Sequence, residues 1–234
     1  MLSRVTPHLR AIGSALQSVL YPELCLSCGA PARDALPVCA PCLRRLPRAS
    51  REDIAAELTA RGATPEDASR GAALWRFDAG GTVQRVQHAL KYKGRPGLGV
   101  PLGALLATAV RADVPGWRPE VVAPVPLARL RELERGYNQA AGLAEGVAQA
   151  FGARSEPALL VRTRPTRTQT RLAFDQRWRN VDGAFALNAG ADVSGLRVLL
   201  VDDVLTTGAT LLAAAQPLRE SGAEVALAAL AFAA

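Results

Sequence analysis

The chain alternates between short apolar runs and longer segments with helical character. Apolar runs with the length of buried strands lie at residues 73–77, 121–125, 159–161, 198–201 and 224–232. Candidate helices separate them, at residues 83–91, 97–111, 138–151 and 210–221. Strands that alternate with helices predict an α/β fold built around a parallel sheet.

The segment after the apolar run at residues 198–201 carries the most informative chemistry. Two carboxylates, Asp202 and Asp203, follow this run directly. Ligands of open α/β sheets bind beyond the carboxyl ends of strands, and a Thr/Gly loop before a helix offers N–H groups and hydroxyls to a phosphate. The two carboxylates would suit a sugar diol or a hard cation. We therefore predict a site for a phosphorylated sugar, and the alternative is a buried strand capped by a tight acidic turn. The loop consists of Thr206, Thr207, Gly208, Ala209 and Thr210.

The cysteines form two C-x-x-C pairs, Cys25 with Cys28 and Cys39 with Cys42. Four thiolates at this spacing can surround one tetrahedral zinc ion. Disulfides or a redox pair are the alternatives. Disulfides are less expected in a chain without an export signal, and a redox pair is not usually doubled or found outside a βαβ pattern. Because four cysteines leave no open ligand position, the predicted zinc is structural. We assign residues 23–47 to this module.

Composition limits the class of protein. The 234 residues suffice for one α/β domain and a small module. The net charge is +7, and nearly all basic residues are arginines, which form bidentate hydrogen bonds with phosphate. The apolar stretches are too short to span a bilayer, and residues 1–21 lack a signal-peptide pattern, so we expect a cytoplasmic protein.

Two further segments precede the main domain, which we assign to residues 71–234. Residues 1–22 have apolar positions at helical spacing and predict an amphipathic helix. Such a helix docks on its own protein or, alternatively, on a partner or a membrane surface. Residues 48–70 are polar and Ala-rich, and they predict a short helix plus a linker.

Two arginine-bearing segments follow predicted strands of the main domain. The first contains Arg129, Arg135 and Gly136 and would suit the outer phosphates of a sugar pyrophosphate, whereas a plain helix with exposed ion pairs is the alternative. The second lies between residues 162 and 180 and predicts a basic loop that closes over an anionic ligand. A solvated surface loop or a nucleic-acid contact would explain it equally. Its candidate functional residues are Arg162, Arg164 and Arg177.

Residues 198–210 resemble the phosphoribosyl pyrophosphate motif of type I phosphoribosyltransferases. With the patterns at residues 88–94 (HALKYKG) and 135–139 (RGYNQ), the chain resembles the ComF family of competence-associated proteins. In that family a small zinc-binding region precedes a phosphoribosyltransferase-like domain. The resemblance implies that Asp202 and Asp203 hold the ribose hydroxyls, directly or through magnesium, and that residues 206–210 wrap the 5′-phosphate. It also implies a pyrophosphate loop around Arg135 and a catalytic flexible loop after Arg162.

The resemblance implies a phosphoribosyltransferase-like protein that binds phosphoribosyl pyrophosphate with magnesium and is linked to DNA uptake in natural transformation. The sequence names neither an acceptor nor a general base. The alternative is a non-catalytic protein that binds phosphate or single-stranded DNA in competence or regulation, with single-stranded DNA or DNA-uptake proteins as partners. Aromatic residues make up only 5% of the chain, which favours a small anionic ligand over a stacked single strand.

Overall fold

A computed structural model describes residues 24–32, 35–92, 96–163 and 183–233. The helix predicted at residues 1–22 lies outside these ranges, as do Arg164 and Arg177. The chain divides into two compact units between Arg45 and Leu46. Within the described ranges, no helix combines the length and apolar character that crossing a membrane requires.

The first unit contains the four cysteines. Its one described helix, α1, spans Ala40–Leu43 and is preceded by Cys39 as N-cap. A tight turn follows Cys25, whose carbonyl accepts a hydrogen bond from the N–H of Gly29 at 2.9 Å. The two C-x-x-C pairs therefore lie on a turn and at the start of a helix, where backbone N–H groups are close to the thiols.

The second unit is built on a five-stranded parallel sheet with the order β1 (Gly71–Arg76), β7 (Glu224–Phe232), β6 (Arg197–Leu205), β2 (Val121–Pro124) and β3 (Arg154–Ser155). The predicted parallel α/β fold is thus confirmed. Strands β6 and β7 lie inside the sheet. β7 is almost entirely buried, and β6 is buried at residues 198–201, because helices cover both faces of the sheet. A separate antiparallel pair, β4 and β5, adjoins it. The strands are β1 Gly71–Arg76, β2 Val121–Pro124, β3 Arg154–Ser155, β4 Leu160–Arg162, β5 Phe185–Leu187, β6 Arg197–Leu205 and β7 Glu224–Phe232.

Seven α-helices are described in this unit, and two of them touch through their backbones. A Cβ added at Gly103 of α5 (Gly99–Asp113) would meet the carbonyl oxygen of Leu143 in α7 (Gln139–Phe151) at 2.1 Å. The contact positions α7 beside β2 and β6. The helices are α2 Arg51–Ala60, α3 Pro65–Ser69, α4 Thr82–Tyr92, α5 Gly99–Asp113, α6 Arg129–Arg135, α7 Gln139–Phe151 and α8 Ala209–Glu220, with a 3-10 turn at Pro96–Leu98.

The segment at residues 48–70, predicted as a short helix plus a linker, contains two short helices. This segment forms α2 and α3, whose first turns are capped by the side chains of Ser50 and Thr64. Ile54 and Leu58 of α2 have no exposed surface and lie against Gly71 of β1. Two apolar residues one helical turn apart therefore join a mostly polar segment to the core.

Candidate functional site

The acidic pair lies near the end of β6, next to the point where the connections after β2 and β6 run to opposite sides of the sheet. β6 pairs with β2 only as far as Val201 opposite Pro124, but it pairs with β7 as far as Leu205. The chain leaves β2 toward β3 at one edge and leaves β6 toward β7 on the other side. This arrangement is a topological switch point, the place where ligands bind in open α/β sheets. The strand predicted to end at residue 201 therefore continues through the acidic pair.

Asp203 is buried and held by side chains from two helices. Its carboxylate forms an ion pair with the ammonium of Lys91 in α4. Its Oδ1 accepts a hydrogen bond from Nε2 of Gln139 in α7 at 3.1 Å, and its main-chain carbonyl accepts one from Nε2 of Gln87 at 3.0 Å. Burial acts to raise the pKa of Asp203, but the charge of Lys91 and the hydrogen bonds to the carboxylate from Lys91 and Gln139 outweigh it and hold the pKa below its ordinary value.

Asp202 has different surroundings. It is half-buried, and its Oδ1 accepts a hydrogen bond from the N–H of Asp203 at 2.8 Å. Burial, together with the adjacent charge of Asp203, raises the pKa of Asp202 well above its ordinary value. A cation or a set of hydroxyl donors at this carboxylate would favour its ionised form, so the site is suited to a ligand that brings either.

The loop after β6 is shorter than predicted. It covers residues 206–208, and Ala209 and Thr210 already belong to the first turn of α8. The N–H groups of a first turn have no acceptor within their own helix, and the helix dipole favours an anion there. Gly208 adopts a left-handed φ of 72°, and a Cβ at this residue would meet Cδ2 of Leu58 at 2.6 Å. The conformation and the space at this position therefore both require glycine.

A cavity of about 710 Å³ is lined by two residues that interact with the acidic pair, although Asp202 and Asp203 themselves do not line it. Gln139, which binds Asp203, contributes to its wall, and so does Arg162 of β4. Burial lowers the pKa of Arg162, while the charge of Asp202 opposes this change. The guanidinium of Arg162 lies 5.2 Å from the centre of the Phe185 ring and donates to the carbonyl of Pro126 at 3.4 Å. Arg162 is thus a strand residue beside the acidic pair rather than part of the predicted loop.

The basic segment after β2 forms a helix and not a loop. Arg129 and Arg135 are the first and last residues of α6, and Gly136 ends the helix with a left-handed φ of 78°. Arg129 lines the cavity. Arg135 donates to Oε1 of Gln139 at 2.6 Å and lies 5.3 Å from the centre of the Tyr92 ring. The two arginines therefore differ, because the first faces the cavity and the second supports Gln139.

The four cysteines have the geometry of a metal site. All are free thiols, and their Sγ atoms lie within 4.8 Å of one another. Sγ of Cys28 is 3.8 Å from Sγ of Cys39, and zinc–sulfur bonds of about 2.3 Å give a tetrahedron with edges of about 3.8 Å. Burial acts to raise the pKa of Cys25, but backbone N–H groups, including those of Cys39 and Ser27, lower it to about 6. This donor set fits a thiolate-binding ion such as zinc.

A family model described as "Phosphoribosyl transferase domain" matches residues 138–234. The chain is 30% identical to the DNA utilization protein YhgH of Salmonella typhimurium (strain LT2) over 204 residues, which cover 86% of this chain and 80% of that protein. The chain belongs to the ComF family. It is also 37% identical to Competence protein F of Haemophilus influenzae over 107 residues, 45% of this chain and 47% of that protein.

Among solved structures, the chain resembles the glutamine phosphoribosylpyrophosphate amidotransferase from B. subtilis complexed with ADP and GMP. The likeness covers 60% of this ComF-family chain and 30% of that chain, with 25% identity and a TM-score of 0.39.

The structure brings together some predicted residues of this ComF-family protein and adds others. Asp202, Asp203 and the loop at residues 206–208 share one end of β6 with Arg162. Lys91 belongs to the pattern at residues 88–94 but was not among the predicted site residues, nor was Gln87, and both bind Asp203. One sequence signal pointed to Lys91, because the arginine-rich chain has only two lysines, at positions 91 and 93. An ammonium is a compact charge that fits beside one carboxylate oxygen, whereas the planar guanidinium of arginine is larger and binds a carboxylate through two nitrogens.

Proposed function

We propose that this ComF-family protein binds phosphoribosyl pyrophosphate with magnesium and transfers the phosphoribosyl group to an acceptor that remains to be identified. The observation that carries the proposal is the position of Asp202 beside a Thr/Gly loop at the switch point of a parallel sheet. Residues 206–210 would bind the 5′-phosphate through N–H groups and hydroxyls. Asp202 would bind the ribose hydroxyls.

The carboxylate of Asp202 is the type of ligand that magnesium binds. This ion prefers oxygen ligands and is commonly held by one or two carboxylates plus the phosphates of the substrate. Asp202 offers such a carboxylate at a half-buried position next to the proposed phosphate loop. When bound, magnesium would supply positive charge to the pyrophosphate that leaves.

The proposed transfer is a displacement at C1 of the ribose. A nucleophilic atom of the acceptor forms a bond to C1, while the bond from C1 to the pyrophosphate oxygen breaks and pyrophosphate leaves with that electron pair. Arg129 and Arg162 both line the cavity beside the acidic pair and are placed to offset the charge of this group. Arg135 would act indirectly, since its guanidinium is engaged by Gln139. Arg164 and Arg177 retain their proposed role in closing over the ligand.

A link to DNA uptake in natural transformation is proposed on the names of the relatives, a DNA utilization protein and a competence protein. A non-catalytic role, in which the same pocket binds a phosphate or single-stranded DNA, is the second candidate. The two differ in salt dependence, because binding to a nucleic-acid backbone weakens steeply as salt rises.

We also propose that the four cysteines bind one structural zinc ion. The sulfur–sulfur distances support this, as do the N–H groups directed at Sγ of Cys25. The ion would hold together a segment too short to form a core of its own.

Calorimetric titration of phosphoribosyl pyrophosphate with Mg²⁺ tests the main proposal. We expect the wild type to bind and Asp202→Asn to bind at least about tenfold more weakly, because a hydrogen bond to a charged group is lost. Asn keeps the oxygen that accepts from the N–H of Asp203, so the strand should be preserved. Asp192→Asn is the matched control, an exposed carboxylate whose Oδ1 likewise accepts from a nearby backbone N–H.

Absence of binding by the wild type would contradict the proposed ligand. Release of pyrophosphate with any member of a panel of nucleobases and amines would establish transfer and identify the acceptor class. Binding without release across that panel, together with salt-dependent binding of single-stranded DNA, would favour the second candidate.

A further inference from the structure

The two carboxylates of the acidic pair have different surroundings. Both belong to β6, and each side chain acts on the other. Asp203 meets side chains of α4 and α7, whereas Asp202 is the carboxylate whose charge acts on Arg162 in β4. The two carboxylates therefore differ in their partners and in burial, and Asp202 is the more exposed of the two.

Asp203 has protein partners at both carboxylate oxygens and at its main-chain carbonyl. Its Oδ2 contacts the ammonium of Lys91, its Oδ1 accepts from Gln139, and its carbonyl accepts from Gln87. Only 5% of Asp203 is exposed, so a ligand could reach its carboxylate only by displacing these partners. Displacement would leave the ammonium of Lys91, itself largely buried, without a counter-ion, which is unfavourable.

The partners of Asp203 are themselves fixed in position. Gln139 directs its Nε2 at Asp203 because its Oε1 accepts from Arg135 at 2.6 Å. The guanidinium of Arg135 lies over the ring of Tyr92, the residue that follows Lys91 in α4. These contacts link β6, α4, α6 and α7 through their side chains.

We propose that Asp203 is a positioning residue whose charge is neutralised by Lys91, and that Asp202 alone of the pair binds the ligand, a role that rests on the proposed function. Lys91 is the positioning counter-ion that keeps Asp203 out of the cleft and fixes the end of β6. The consequence is that the charge of Asp203 is dispensable for ligand binding once Lys91 is also neutral.

A double-substitution experiment separates this arrangement from one in which both carboxylates bind. Phosphoribosyl pyrophosphate with Mg²⁺ is titrated into the wild type, Asp202→Asn, Lys91→Met and the double variant Lys91→Met/Asp203→Asn. We expect Asp202→Asn and Lys91→Met each to weaken binding by about tenfold or more. The double variant should bind within about threefold of the wild type, and Lys91→Arg should bind better than Lys91→Met because it retains the charge. Loss of binding in the double variant as large as in Asp202→Asn would overturn the proposal.

Thermal unfolding of the wild type, Lys91→Met, Asp203→Asn and the double variant tests the pair without any ligand. Lys91→Met and Asp203→Asn should each lower the Tm by roughly 5–10 °C, because each leaves one buried partner alone, and the double variant should recover most of that loss. Additive losses would overturn the ion pair as the element that positions Asp203. A wild type that melts as expected but does not bind phosphoribosyl pyrophosphate would instead contradict the proposed function and, with it, the role of Asp202.

Discussion

Substitution of Gly208 by alanine tests whether α2 supports the proposed phosphate loop. Gly208 has a left-handed φ of 72°, in which a residue with a Cβ costs about 1–2 kcal/mol. The new Cβ would also lie 2.6 Å from Cδ2 of Leu58, whose side chain has no exposed surface and little room to move. Overpacking of this kind adds about 1–3 kcal/mol. We therefore expect a loss of about 3 kcal/mol in the free energy of unfolding.

The expected loss corresponds to a fall in Tm of about 6–12 °C, since 1 kcal/mol shifts the Tm by about 2–4 °C in a unit of roughly 190 residues. Gly152→Ala is the matched control. Gly152 also has a left-handed φ, of 68°, but a Cβ there would have no neighbour within 4 Å. Its Tm should fall by only about 2–8 °C, which reflects the backbone conformation alone.

The contact itself is isolated by a second substitution. Leu58→Val removes the atom that the new Cβ would meet, so its cost should be smaller in the Gly208→Ala background than in the wild type. Binding of phosphoribosyl pyrophosphate by Gly208→Ala should weaken as well, because the start of α8 must shift. If Gly208→Ala costs no more stability than Gly152→Ala, the reasoning about Leu58 is refuted.

Two other predictions concern pH and metal. Burial raises the pKa of Asp113 at the end of α5. Its contribution to stability is therefore fully present below the pKa of the unfolded state, about 4, and is lost as pH rises through the pKa of the folded state. Asp113→Asn should accordingly melt above the wild type at pH 7 but not near pH 4, and a higher Tm for the wild type at pH 7 would exclude this. For the cysteine site, native mass spectrometry should find one zinc ion per chain, lost in Cys42→Ser but kept in Ser27→Ala, because Ser27 approaches Cys25 through its backbone N–H. Zinc retained by Cys42→Ser would count against a four-cysteine site.

The hydrophobic pattern predicted the main strands because strands of a parallel sheet are buried on both faces. Apolar runs at residues 121–125 and 224–232 therefore correspond closely to β2 and β7. The same criterion placed the end of β6 too early, since two carboxylates interrupt its apolar run. It also missed the contribution of residues 48–70, because only Ile54 and Leu58 of α2 are buried.

Local sequence likewise located part of the candidate site. The acidic pair, the Thr/Gly loop and the two C-x-x-C pairs are each contiguous or nearly so, and the chemistry of such groups can be inferred from residue type and spacing. The basic segment around Arg129 and Arg135 was less informative, because the same residues are compatible with a loop and with the helix that the structure contains.

What the sequence by itself determined was the parallel α/β fold, the four-cysteine cluster and the end of the strand at which the acidic pair lies. Only the tertiary structure decided how the two carboxylates differ. The partners of Asp203 are Lys91 and Gln139, which lie far from it along the chain and reach it only because helices α4 and α7 pack beside β6. Burial and the charge of Asp203 raise the pKa of Asp202, whereas the charge of Lys91 lowers the pKa of Asp203. These effects arise from packing, so two identical residues side by side in the sequence acquire different chemistry.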